Sequence, residues 1–187
     1  MILVIDMNYK RNSLGFYEFV LPIITAVKTL DDYTVKHYTD MRQDDVSNCD
    51  CVILSGTPLK DNATLSQLEK FQWIATCIKP ILGICAGMQT IGLVFGSSLT
   101  KCLGIGMTEI RTLKENPLFS ASFNAYALHN FSVTLAENFD ALAESAQCVE
   151  AVKHRRQNVY GVLFHPEVRN QETLQRFVST FSQHRRV

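Results

Sequence analysis

Short apolar runs alternate along this chain with longer segments of helical period. Residues 2–5, 33–37, 51–54 and 81–84 read as strands, three of them apolar throughout, as expected of strands buried on both faces. Between them, residues 14–30, 64–78 and 86–95 place apolar side chains at helical spacing. Thr64-Leu65-Ser66-Gln67 fits a capping box opening the second of these helices. The alternation predicts an α/β protein: an open, twisted, mostly parallel sheet with helices on both faces. Past Gly96 the pattern changes. Residues 99–103, 106–113 and 124–135 read as shorter strands and turns, a small antiparallel extension. Residues 149–153 and 160–164 return to the sheet, and 172–184 forms a closing helix. No repeat, low-complexity tract or linker interrupts the pattern, so residues 1–187 read as a single domain.

Composition narrows the function. With 18 basic and 18 acidic residues the formal charge is zero, so no global field points to nucleic acid or an anionic membrane as partner. No apolar run approaches the ~20 residues that span a bilayer. The apolar start, Met1 to Ile5, lacks the basic flank of a signal peptide. Six cysteines are scattered without regular spacing and read as reduced, small apolar side chains of a cytoplasmic protein. Cys49-Asp50-Cys51 is not a zinc-ribbon spacing, and neither a metal site nor a cofactor is expected. His37 and His184 read as solvated, and His154 as part of a solvated basic turn, Lys153-His154-Arg155-Arg156. Arg185-Arg186 complements the dipole at the end of the last helix.

The candidate chemistry lies at strand ends. Gly83-Ile84-Cys85-Ala86-Gly87 follows the apolar run Pro80-Ile81-Leu82 and reads as a strand ending in a sharp turn that presents a cysteine at a helix start. Thiols attack as thiolates, and the positive end of a helix favours that anion. Gly161-Val162-Leu163-Phe164-His165-Pro166-Glu167 is a second short strand, ending in a histidine and a carboxylate. In open α/β sheets the ligand crevice lies beyond the carboxyl ends of the strands. Leu54-Ser55-Gly56-Thr57-Pro58 also follows a predicted strand, so one crevice can hold all three segments. There Cys85 would attack a carbonyl carbon, His165 would take and return the proton, and Glu167 would orient the imidazole. Backbone N–H groups at Ala86 and at the Gly56-Thr57 turn would hold the oxyanion.

Gly83-Ile84-Cys85-Ala86-Gly87-Met88-Gln89 together with Phe164-His165-Pro166-Glu167 resembles the class I, or triad, glutamine amidotransferases, and the likeness runs over nearly the whole chain. The resemblance implies a flavodoxin-like fold and a glutaminase that passes ammonia to an ATP-dependent synthetase. Cys85, His165 and Glu167 take the triad positions, and Gln89 takes a position that holds the glutamine substrate. Glu150-Ala151-Val152-Lys153-His154 and Tyr126-x-x-His129 are most similar to the branch serving GMP synthase, which adds His129, Asn130 and Phe131 as substrate-side residues. No synthetase domain is found in the chain, so the acceptor chemistry is expected on a separate polypeptide. The chain departs from the family pattern in three places: Thr57 stands where a glycine usually precedes proline, Leu128 and Phe131 replace polar residues, and Leu163 replaces a glutamine. Two alternatives stay open. One is a Cys-His hydrolase of other γ-glutamyl compounds; the other is a non-catalytic subunit that keeps the fold and the shape of the site.

Overall fold

The computed structural model describes residues 1–182; the predicted helix end at 183–184, His184 and Arg185-Arg186 fall outside them. Nine strands form one sheet: β1 (Ile2–Asp6), β2 (Tyr33–His37), β3 (Cys51–Leu54), β4 (Ile81–Ile84), β5 (Leu99–Thr112), β6 (Phe123–Val133), β7 (Phe139–Glu144), β8 (Val149–His154) and β9 (Val159–Val162). Their order is β2-β1-β3-β4-β9-β8-β7-β5-β6. The first five in that order pair in parallel, and β8, β7, β5 and β6 extend the sheet with antiparallel pairing.

Side-chain alternation divides the core into two layers. On one face Ile2, Val4, Ile53, Leu82, Ile84, Tyr160 and Val162 meet α1 (Leu21–Val27) and α4 (Glu172–Phe181) through Ile23, Val27, Leu174 and Phe177. On the other, Leu3, Ile5, Val52, Leu54 and Ile81 meet Met88 and Ile91 of a helix at Ala86–Val94, together with Phe71 and Ile74. The parallel strands β1, β3, β4 and β9 are buried along their whole length, which is why the chain writes them as uninterrupted apolar runs.

Several local expectations change. The predicted helix 14–30 is a π-helical turn, Phe16–Val20, running into α1. Pro22 has no N–H for the carbonyl four residues back, so a regular α ladder cannot run through. A short α2 (Gln43–Ser47) and the strand β7 have no counterpart among the predicted elements. Residues Thr64–Thr76 wind as a 3₁₀ segment, kinked at Gln67, with no side-chain cap. The expected capping box does not form: Asp61 Oδ1 accepts from Ala63 N at 3.1 Å ahead of the helix, and the Gln67 amide donates to Tyr38 Oη at 2.9 Å. The helix Ala86–Val94 (α3) starts at its predicted residue. The two predicted pieces at 99–103 and 106–113 are one continuous strand, β5, with a bulge between Lys101 and Gly104.

Two histidines expected in solvent are buried. His37 places Nε2 2.8 Å from Asn8 O and Nδ1 2.7 Å from Thr39 Oγ1. His154 packs on Phe95 and Phe139, and its Nδ1 accepts from the N–H groups of Arg156 and Gln157, closing the basic turn over a covered ring. Among the described residues no helix is long and apolar enough to cross a membrane.

Candidate active site

The segments carrying Gly56, Cys85 and His165 follow β3, β4 and β9, three strands adjacent in the sheet. Cys85 caps the start of α3 with φ 47° and ψ −100°, a backbone that an L-residue holds only under strain. Its N–H is anchored to Val162 O at 2.8 Å. The flanking glycines are required by close approach: a Cβ on Gly83 would stand 2.5 Å from the Gly87 carbonyl carbon, and one on Gly87 would stand 2.8 Å from Leu54 O. The strand, the elbow and the first turn of α3 thus pack backbone against backbone, and the thiol is lifted to the end of the sheet.

His165 and Glu167 are both buried, and His165 Nδ1 lies 2.7 Å from Glu167 Oε1. The backbone N–H of His165 donates to Tyr126 O at 2.8 Å, and Phe19 packs on the ring with centroids 5.4 Å apart. Burial alone would push the imidazole below its ordinary value. The Glu167 carboxylate and, after it, the Cys85 sulfur outweigh that effect and hold His165 well above it. Nε2 is left without a hydrogen-bond partner among the described residues and is free to exchange a proton. The Cys85 thiol instead donates to Leu128 O, 3.5 Å away on β6.

The turn after β3 is braced from β1. Ser55 Oγ accepts from Met7 N at 3.1 Å and donates to Gly56 O at 3.0 Å. Gly56 faces the His165 ring, and Thr57 is buried with its hydroxyl donating to Asp61 O at 3.1 Å. Ala86 opens α3, where the first N–H groups have no intrahelical acceptor. Gln89 lies one turn along, and its amide donates to Phe131 O at 2.8 Å. Asn130 reaches across and donates to Leu59 O at 3.0 Å.

Gln89, Asn130 and Phe131 therefore do meet Cys85, and with Thr57, Pro58 and Leu128 they line one pocket over it. His129 borders the same pocket, but its ring is committed elsewhere: Nδ1 donates to Cys102 O at 2.8 Å and Nε2 faces Glu150. The pocket is closed down to about 20 Å³, room for roughly one water molecule. A cleft of about 380 Å³ near α2, lined by Trp73 and Cys77, offers no histidine or carboxylate. Sequence reasoning placed Ser55 in the crevice turn but missed the bracing by its hydroxyl, and it missed Phe19 and the carbonyls of Tyr126 and Leu128. These act through contacts distant along the chain, and no local pattern announces them.

An open α/β sheet that raises a strained cysteine beside a buried His–Glu pair has the architecture of the amidotransferase hydrolases anticipated from the motifs. The family model described as "Glutamine amidotransferase class-I" matches residues 16–184, and the chain belongs to that family. It is similar to the glutamine-hydrolysing GMP synthase subunit of Methanosphaera stadtmanae, 34% identical with 85% of this chain and 87% of that protein covered. The corresponding GMP synthase subunit of Methanosarcina barkeri is 32% identical, covering 91% of this chain and 92% of its own. The chain also matches the glutamine-hydrolysing GMP synthase of Borreliella burgdorferi at 31% identity, spanning 35% of that longer protein. Among solved structures, a GMP synthase subunit homologue from Thermoplasma acidophilum superposes with a TM-score of 0.83 at 23% identity, over 96% of this chain and 92% of that one.

Proposed function

We propose that this chain hydrolyses L-glutamine to glutamate and ammonia in the cytoplasm and delivers the ammonia to a separate synthetase subunit, the pair acting as a GMP synthase. Cys85 passes its proton to His165 Nε2 and attacks the side-chain amide carbon of glutamine. N–H groups at Ala86 and at the Gly56-Thr57 turn hold the oxyanion, each donor contributing about 3 kcal/mol to the barrier reduction. Collapse of the adduct breaks the C–N bond, and His165 returns its proton to the departing ammonia. Water, deprotonated by His165, then splits the thioester to give glutamate and the free thiol. Glu167 fixes the imidazole so that Nε2 faces the thiol, and it stabilises the imidazolium formed on the way.

The observation that carries this reading is the buried His165–Glu167 pair at 2.7 Å beside a cysteine held at φ 47°. The archaeal relatives, each named as one subunit of a GMP synthase, support a synthetase on a second polypeptide. A row of exposed apolar residues on β5, Leu103, Ile105 and Met107, provides a face on which such a partner can seat. The test is intact mass after treatment with 6-diazo-5-oxo-L-norleucine, a glutamine-shaped electrophile, with and without the synthetase subunit. A single adduct that is absent from Cys85→Ala is expected, forming faster with the partner present. No adduct under either condition overturns the reading. Cleavage of γ-glutamyl peptides in preference to glutamine would move the substrate.

A further inference from the structure

We propose that Cys102, His129, Cys148 and Glu150 form a binding site for one Zn²⁺ ion, tying strands β5, β6 and β8 together behind the pocket. The residues come from three stretches far apart in the sequence, Cys148 and Glu150 sharing one, and converge in the fold. The Cys102 and Cys148 sulfurs lie 2.6 Å apart. The ligand atoms of Cys102, His129 and Cys148 all fall within 4.8 Å of one another. Glu150 Oε1 is 3.9 Å from His129 Nε2 and 3.8 Å from Cys148 Sγ.

Hydrogen bonding prepares this cluster for a cation. Because a carbonyl only accepts, the contact between His129 Nδ1 and Cys102 O places the ring proton on Nδ1 and the lone pair on Nε2. Metal-bound histidines are oriented in this way, the other ring nitrogen donating to a carbonyl or carboxylate. Nε2 then faces a carboxylate oxygen, acceptor against acceptor, and finds no donor among the described residues. Glu150 Oε2 is likewise without one, and both side chains are 1% exposed. Two buried acceptors turned towards each other leave a gap that a cation fills. Tetrahedral Zn²⁺, with Zn–N of about 2.1 Å and Zn–S of about 2.3 Å, separates its ligand atoms by roughly 3.4–3.8 Å. The Cys148–Glu150 separation matches those edges and the His129–Glu150 one exceeds them by about 0.1 Å, while the two sulfurs must part by about an ångström. Two thiolates with imidazole and carboxylate form a set that favours zinc over the hard cations Mg²⁺ and Ca²⁺. Cys148, only partly buried, gives the ion a path from solvent, and binding releases the two thiol protons to it.

The inference is independent of the glutaminase reading. It has one consequence for it: His129 lies between Leu128 and Asn130, so an ion there pins the strand that covers Cys85. The test uses the full chain, reduced, stripped with a chelator and titrated with Co²⁺. One equivalent should bring the thiolate-to-cobalt charge-transfer band and the visible bands of a tetrahedral ion, both bleached by Zn²⁺. In the unmutated protein Zn²⁺ should slow maleimide modification of Cys148 by about tenfold or more, a readout that no misfolded variant can confuse. Cys148→Ser should lose the charge-transfer intensity. Absence of the band and of protection overturns the proposal, as does a band that survives Cys148→Ser. Isolation of the protein two hydrogens lighter, with a Cys102–Cys148 disulfide and no bound zinc, also overturns it and makes the pair a redox couple.

Discussion

Adding one methyl group at Gly56 tests whether the position of His165 governs the reaction. An alanine Cβ there would stand 2.6 Å from His165 Cε1 and 3.2 Å from Nδ1, where ordinary contact begins at 3.4 Å. The ring must therefore retreat by about 0.8 Å. It has little freedom to do so, being fully buried, tied to Glu167 at 2.7 Å and packed on Phe19. Gly56 is not in the left-handed region, so alanine is tolerated by the backbone and the perturbation acts through the side chain. Displacing a proton-transfer group by about 1 Å costs on the order of 10²-fold in rate. Gly56→Ala should lower kcat by that factor with little change in KM, measured as glutamate release with the synthetase subunit present. Overpacking should also cost about 1–3 kcal/mol, a fall in Tm of about 2–12 °C at 2–4 °C per kcal/mol for a chain of this size. A folded Gly56→Ala protein with wild-type kcat refutes the argument, since the base would then have been moved without consequence.

Two further predictions concern the pair and the cover. His165 binds its proton more tightly folded than unfolded, so the stability this contributes is full below the ordinary histidine value of about 6.5 and is lost as pH rises through the raised one. Urea unfolding should therefore show a decline in stability above about pH 6.5 that Glu167→Gln flattens, and equal slopes for both proteins would contradict the assignment. Asn130→Ala removes the 3.0 Å bond to Leu59 O that helps close the pocket. At about 1 kcal/mol for one such bond, the partner-free protein should react with the glutamine-shaped electrophile roughly fivefold faster; an unchanged rate would mean that the cover is held elsewhere.

What the sequence discloses and what it withholds divide along physical lines. Strands β3 and β4 and the start of α3 are legible to the residue because burial on both faces, or a turn beside it, leaves an unambiguous local pattern; the half-exposed edge strand β2 is read at its observed bounds as well. The triad candidates are legible because each stands at a strand end with its own small motif. β5 reads as two pieces because Gly104 and Gly106 look like breakers. In the fold the strand passes through them with a bulge, Gly106 at φ 100° and Gly104 giving room to the His129 ring. The solvated readings of His37 and His154 fail for a related cause: both sit among polar neighbours in the chain, yet tertiary packing covers them and backbone groups satisfy their nitrogens.

The same distinction locates the control of the site. The elbow and the His–Glu pair are built from segments that adjacent parallel strands hold in place. The cover comes from elsewhere: Leu128 takes the thiol proton contact, Phe131 takes the Gln89 amide, and Asn130 clasps Leu59. All three lie on β6, the last strand in the sheet, paired along one side to β5. Away from β5, those contacts and the bond from His165 N–H to Tyr126 O hold β6 over the elbow. On the proposed function, admitting glutamine requires β6 or the Gly56-Thr57 turn to shift, since the pocket holds only about 20 Å³. The departures from the family pattern at Leu128 and Phe131 fall on that strand, beside the exposed row on β5. A partner that seats there would act on the cover directly, and the residues that recognise it and the residues that close the pocket would belong to one hairpin.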